Sequence, residues 1–403
     1  MEAHLNTPGV EGDSIVPAIQ RALEQTGVAL TTRMGGLELA LRLDRPDWSR
    51  HLAETLAGEA PFEMRWQLLR KYYLDARDQG YVSHARWAAS RLAAESTEDT
   101  DRLQWEAVEA GLAVEEGDEG YAATVFAGVL EQSDRGSETR RVALQNLVIL
   151  GADRDPVEAE RLIEIHAREF PDREGDLAAM AIRLSKAYVG RGDLEAARRS
   201  VDLGPSQPSD ASTAARLAAQ RGYLALFHGN VDIARSHLET AGLIPGGNPA
   251  ERTEVLIFLD VLDQADSSEV ATLGRGIYAL ESGPDSSPLL TSTDRWASMR
   301  NGRGAAGLMR LAAGALERSD HETEAEAVRL ALVEAYPRAA EAPGALLALA
   351  REALPSRAEQ ARTWLQRLII DHPESALAPV ARRLLSGIER NSTDEAAVQG
   401  VQS

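Results

Sequence analysis

Apolar residues along this chain recur on helical faces, and the faces return in a fixed rhythm. Three phrases carry it: Arg191-Gly-Asp-Leu-Glu-Ala-Ala-Arg-Arg-Ser-Val, His228-Gly-Asn-Val-Asp-Ile-Ala-Arg-Ser-His-Leu and Glu116-Gly-Asp-Glu-Gly-Tyr-Ala-Ala-Thr-Val-Phe. Each puts a small residue five positions after a glycine and an apolar residue four beyond that. The small residues are Ala85, Ala122, Ala159, Ala197, Ala234 and Ala271, at intervals of 37, 37, 38, 37 and 37. Gly80 and Gly117 are 37 apart, as are Gly192 and Gly229; Pro171, Pro208 and Pro245 keep the same step, and Pro337 and Pro373 are 36 apart. Three residue types holding one period over half the chain define a tandem repeat. No run of strand alternation bounded by turn residues competes with it, so the chain is read as all-α.

The chemistry of one unit explains its residues. A first helix over 177–189 carries Leu177, Ile182, Leu184 and Tyr188 on a helical stripe. Gly192 permits the positive φ that closes this helix and reverses the chain. Asp193 then caps a second helix by accepting from the free amides of its first turn. Ala197 sits where two helices cross, since only a small side chain allows close approach. Val201 packs toward the next unit, and the following proline cannot continue the helix. A lone pair cannot bury its apolar stripe, so neighbouring pairs must stack.

This pattern resembles the tetratricopeptide (TPR) family. Tyr188, Gly192 and Ala197 match its motif in one unit; Gly222, Gly229, Ala234 and Ala241 match in another. Ala122 and Phe126 fall in register in a third, and Ala361, Leu365 and Pro373 in a late one. The step of 36–38 exceeds the family's usual 34, and the first-helix Trp is mostly missing. The resemblance implies a TPR-like α-α superhelix of about eight or nine helix pairs, closed by a C-terminal capping helix. It also implies partner binding on the concave face that the first helices line. By register that face presents Arg70, Leu74, Arg77, Tyr223, Phe227 and Arg310, with Tyr and Arg the types favoured at binding hot spots. The plainer alternative is that Tyr223 and Phe227 pack between helices. The family's Lys/Asn carboxylate clamp for chaperone tails is not recognisable, because its positions carry Leu, Val and Tyr.

The pattern divides the chain into a flexible lead (1–13), an N-terminal array (14–283), an insert or hinge (284–304), C-terminal pairs with a cap (305–390) and a disordered tail (391–403). Within the array, a helix at 14–25 and a pair over 34–56 precede pairs at 62–95, 101–133, 138–170, 177–204, 211–243 and 250–283. Between Ala271 and Ala325 the step is 54, one period plus an insertion rich in Ser, Gly and Pro with Trp296 and Met299 as anchors. Pairs resume at 305–336 and 343–372, and 376–390 forms the cap.

Charge narrows the partner class. With 43 Lys+Arg against 63 Asp+Glu the formal charge is −20, so nucleic acid and anionic membrane are poor partners. A protein or peptide partner is expected, with a homo-oligomer as a further possibility. Nearly all the positive charge is Arg, for Lys71 and Lys186 are the only lysines. The absence of Cys removes thiol chemistry and cysteine metal sites. The start has no basic and apolar signal pattern, and no apolar stretch reaches the roughly 18–20 residues that span a bilayer. An exported location is favoured if a signal has been removed, and a cytoplasmic one otherwise.

The eight histidines form no HExxH or similar ligand spacing, so neither metal nor cofactor is expected. Gly302-Arg-Gly-Ala-Ala-Gly307 fits a dinucleotide pattern but lacks the preceding strand that would place a pyrophosphate. Glu281-Ser282 followed by Gly304-Ala-Ala-Gly-Leu-Met-Arg-Leu311 is similar to the catalytic region of soluble lytic transglycosylases, which implies Glu281 as a general acid on a glycan. The spacing is longer than that family's, and no Ala-Tyr-Asn-Ala-Gly follows. The reading preferred here is a non-enzymatic interaction scaffold; the alternatives are a peptidoglycan-cleaving enzyme using Glu281 and a self-assembling structural protein.

Overall fold

A computed structural model describes residues 19, 21–23, 30–244, 249–283, 285–299 and 304–400. The lead, most of the expected first helix, Pro245, Gly302 and the last three residues lie outside that set. Among the described residues there are helices and no strand, and they fall into two compact units, 1–171 and 172–403.

The first unit is four helix hairpins in sequence. They are α1 (Leu30–Arg42) with α2 (Pro46–Glu59), α3 (Phe62–Asp78) with α4 (Val82–Glu95), α5 (Asp99–Glu115) with α6 (Glu119–Gln132), and α7 (Glu138–Gly151) with α8 (Pro156–Glu169). Each second helix also packs on the next first helix, as α2 does on α3 and α4 on α5. The alanines of the 37-residue register stand at these crossings, and Ala85, Ala122 and Ala159 are buried.

The second unit begins in the same way, with α9 (Glu174–Gly190) and α10 (Leu194–Val201), then α11 (Ala211–Phe227) and α12 (Val231–Leu243). Gly192 has φ +77°, the amide of Asp193 returns to the Tyr188 carbonyl at 2.9 Å, and the Asp193 carboxylate accepts from the Ala196 amide at 2.8 Å. The turn and cap therefore form as the residue types require. The same return bond closes the turns at Gly80, Gly117 and Gly229. In two hairpins an aspartate stands where the glycine would be. Asp44 (φ 56°) and Asp320 (φ 60°) take its place, and the amides of Arg45 and His321 bond back to Ala40 and Leu316 at 2.9 Å. Aspartate tolerates the left-handed region better than most residues, which makes this substitution workable.

After α12 the rhythm changes. Helices α13 (Pro249–Gln264) and α14 (Ser267–Ser282) occupy the stretch read as one pair, yet each packs mainly elsewhere. Helix α13 lies on α12 and on α16 (Ala305–Arg318), while α14 lies across α11 and α9. Glycine makes this possible: a β-carbon on Gly274 would overlap the Leu226 carbonyl oxygen of α11. The insert contains a helix, α15 (Ser287–Ala297), packed on α14, α16 and α17 (Glu322–Ala335). Trp296 anchors it: the ring is fully buried, and its Nε1–H donates to Glu269 Oε2 at 2.7 Å. The Tyr336 hydroxyl donates to the carbonyls of Trp296 and Met299. Helices α18 (Ala342–Ala353) and α19 (Ala358–Asp371) form the last hairpin, and α20 (Ala378–Gly400) packs on α19 and runs on past residue 390.

A buried polar pair ties α3 to α4. The Tyr72 hydroxyl lies 2.9 Å from Nδ1 of His84 and donates to it in the neutral tautomer that carries its proton on Nε2. Burial, with the nearby Arg50 charge, holds His84 below its usual range; Asp47 offsets this in part. A folded-state value below the unfolded one means that the fold disfavours the charged ring. This stability is complete above about pH 6.5 and is lost as pH falls below it.

Three outcomes are expected. Gly274→Ala should destabilise the protein by about 1–3 kcal/mol, because it overpacks against backbone. Gly111→Ala, in mid-helix with no atom in the way, should stabilise it by about 0.5–1 kcal/mol. Urea titrations of the two variants and the parent distinguish these signs. In thermal melts, the parent should lose melting temperature between pH 7.5 and 5.5, and His84→Gln should reduce that loss; an unchanged slope would exclude His84 as its source.

Candidate functional site

The six residues expected at a partner surface fall in three places. Arg70, Leu74 and Arg77 share one face of α3, being spaced at helical intervals. Facing them on α5 are Asp101, Gln104, Trp105 and Val108, and the two helices enclose a groove of about 360 Å³ that Trp66 and Tyr73 complete. Helix α1 packs on α3 and α5 on α7 at close range, but α3 and α5 approach each other less closely. Aromatic rings bridge the gap. Trp105 meets Trp66 edge-on at 6.4 Å and Tyr73 edge-on at 5.2 Å between centroids, the arrangement that ring quadrupoles favour.

The groove carries one charge of each sign, Arg70 on α3 and Asp101 on α5. The Arg70 guanidinium lies over the Trp66 ring at 5.6 Å, a cation–π contact, and makes no ion pair among the described residues. One turn on, Arg77 is closed by Glu115 at 2.7 Å, and that bond holds the Arg77 guanidinium above its usual range. Leu74 is 50% exposed at the lip, in contrast to the fully buried Tyr72 beside it. The sequence reading missed Trp66, Tyr73 and Trp105. Trp66 lies four residues before Arg70 on the same stripe, so the helical spacing was there to be used.

Tyr223 and Phe227 lie in the second unit and do not form an open face. Helix α14 covers Phe227, which is buried with its ring 6.0 Å from that of Tyr278, whose hydroxyl donates to the Gly192 carbonyl at 2.7 Å; Tyr223 is half-buried, its ring edge-on to Phe258 of α13 at 5.3 Å. What remains is a cavity of about 500 Å³ walled by α9, α11, α13, α14 and α16. Its apolar lining includes Leu226, Phe227, Phe258, Ile277 and Leu280, and Lys186, Glu254, Glu281 and Arg318 bring charge to it. Arg318 pairs with Glu254 at 3.4 Å. Burial pushes the Glu281 carboxyl above its usual range, with the Arg318 and Lys186 charges opposing and Glu254 adding to the shift.

Arg310 stands exposed at a third place, a groove of about 400 Å³ between α16 and α18. Glu317, Glu341 and the small residues Gly314, Gly344 and Ala345 line it, and buried Arg329 at its base is held by Glu317 and Glu352. Among the described residues, no group of His, Asp or Glu is arranged to hold a metal ion. No described helix is long and apolar enough to cross a membrane.

No family profile and no curated protein matches the chain. Solved structures with similar helix arrangements include a tetratricopeptide repeat protein from Parabacteroides merdae ATCC 43184, at 11% identity and TM-score 0.37, which covers 73% of this chain and 98% of that one. The P58(IPK) TPR domain aligns at 11% identity and TM-score 0.22, covering 91% and 99%. Yeast Tom70 aligns at 11% identity and TM-score 0.24, covering 93% and 99%. The TPR-like, all-α fold class rests on the repeated hairpins, glycine turns and alanine crossings of the chain itself.

Within the α3–α5 groove, structural and contact roles can be separated. Trp105→Ala should cost about 3–5 kcal/mol, since it removes the ring that spans the two helices. Leu74→Ala, on the exposed lip, should stay within about 0.5 kcal/mol of the parent. Urea unfolding followed by far-UV circular dichroism measures both. Equal costs would mean that the lip is part of the core.

Proposed function

We propose that this protein is a non-enzymatic interaction scaffold that docks an amphipathic segment of a partner protein in the groove between α3 and α5. The observation that carries this reading is the joint exposure of Leu74 and Arg70 beside three aromatic rings that already hold one another in place. Rigid aromatic walls lose little side-chain freedom on binding, and an apolar anchor entering the groove displaces water from them. Arg70, held over Trp66 and in no ion pair among the described residues, adds a donor for a carboxylate on the incoming segment. Asp101 across the groove favours a segment that carries the opposite charge there, which fixes its direction.

The peptidoglycan-cleaving alternative is not favoured. Helices α16 and α17 form a hairpin across 305–335, where that reading needs a separate catalytic domain, and Glu281 ends a helix that packs into the repeat array. No observation favours self-assembly over a different partner.

The test places a photo-cross-linking amino acid at Leu74 and, as a control, at Val157, which is 71% exposed on α8. Cross-linking in cells of the source organism should join Leu74 to one short segment of one protein, and a synthetic peptide of that segment should lose at least tenfold in affinity for Arg70→Ala. Equal products from both positions would remove the groove from the proposal. Cross-links only to a second copy of this chain would replace it with the self-assembly reading.

A further inference from the structure

We infer that the cavity of the second unit is a binding site for a small zwitterion with a large apolar side chain, in size and chemistry a short apolar peptide with both termini free. It is separate from the α3–α5 groove and does not depend on that reading. The interior suits the body of such a molecule. About 500 Å³ is within the range of small-molecule sites, and Phe227, Phe258, Ile277 and Leu280 supply apolar walls from three different helices. None of these residues belongs to a continuous hairpin face. They converge because α14 has left its own hairpin to cross α9 and α11.

The charged groups decide the head. Of the four that line the cavity, Arg318 and Glu254 neutralise each other at 3.4 Å. Lys186 and Glu281 remain, one of each sign, on α9 and α14, and no ion pair or hydrogen bond holds either of them among the described residues. A ligand bearing only a carboxylate would gain Lys186 but face Glu281. One bearing only an ammonium group would meet the reverse conflict. A molecule with both gains two charge-assisted contacts and leaves neither side chain opposed. The sequence makes Lys186 unusual as well, since it is one of two lysines in a chain that otherwise uses arginine.

The experiment is isothermal titration of the full chain with L-leucyl-L-phenylalanine, its C-terminal amide and its N-acetyl derivative. The free dipeptide should bind at one site per chain. The amide and the acetyl form should each bind at least tenfold more weakly. Lys186→Gln should weaken the free dipeptide to the same extent but leave the amide unchanged, and Glu281→Gln should do the same for the acetyl form. Both side chains keep solvent-exposed surface even though the cavity walls desolvate the Glu281 carboxyl, and melting curves verify that the variants stay folded. Absence of binding by all three compounds overturns the inference. So does an amide or acetyl form that binds as tightly as the free dipeptide, which would make the ligand a simple cation or anion, and so does binding that neither variant alters.

Discussion

Two helices can lie close only where at least one offers almost no side chain, and this constraint runs through the whole protein. At the crossings of the repeat it is met by alanine: Ala85, Ala122, Ala197 and Ala234 show no exposed surface. Larger residues on either side of each alanine then interlock, and Phe126 and Leu238 fill the positions four residues on. Because the alanines return every 37 residues along each unit, neighbouring regular hairpins within a unit meet at equivalent places. The burial that stabilises a pair is thus supplied by the adjacent pair.

Where the constraint is met differently, the structure changes and sites arise. Between α3 and α5 bulky rings take the place of a close approach, and the helices stand far enough apart to leave a groove. In the second unit Gly274 has the opposite effect. It lets α14 touch the backbone of α11, which draws that helix away from α13 and closes a cavity over Tyr223 and Phe227. A gap too wide and a contact unusually close, on the same repeating plan, produce the two kinds of surface to which function is assigned above.

Charge follows the same division between the common plan and its exceptions. Some arginines form ion pairs that link neighbouring helices on the surface, such as Arg77 with Glu115 at 2.7 Å and Arg318 with Glu254 at 3.4 Å. Exposed pairs of this kind contribute little to stability individually. Among the described residues Arg70, on its tryptophan, and Lys186, at the cavity, make no ion pair, and each borders a space that another molecule can enter.

The period, the helix pairs, the glycine turn with its Asp cap and the crossing alanines were legible in the chain, because each follows from residue types recurring within one repeat or at its fixed step. The sequence also indicated Trp296 as the anchor of the insert, since a large apolar residue in a polar stretch has to be buried somewhere. It did not reveal the turns at Asp44 and Asp320, where a residue that tolerates the left-handed region stands in for one that prefers it. Nor did it separate Leu74, left open at a groove, from Phe227, covered by α14, although both lie on first-helix stripes. That difference was decided by contacts such as Tyr278 to Gly192, 86 residues apart. A stripe records only that a face is apolar; what covers it depends on where a distant helix can approach, and that depends on the small residues of both partners once the chain has folded.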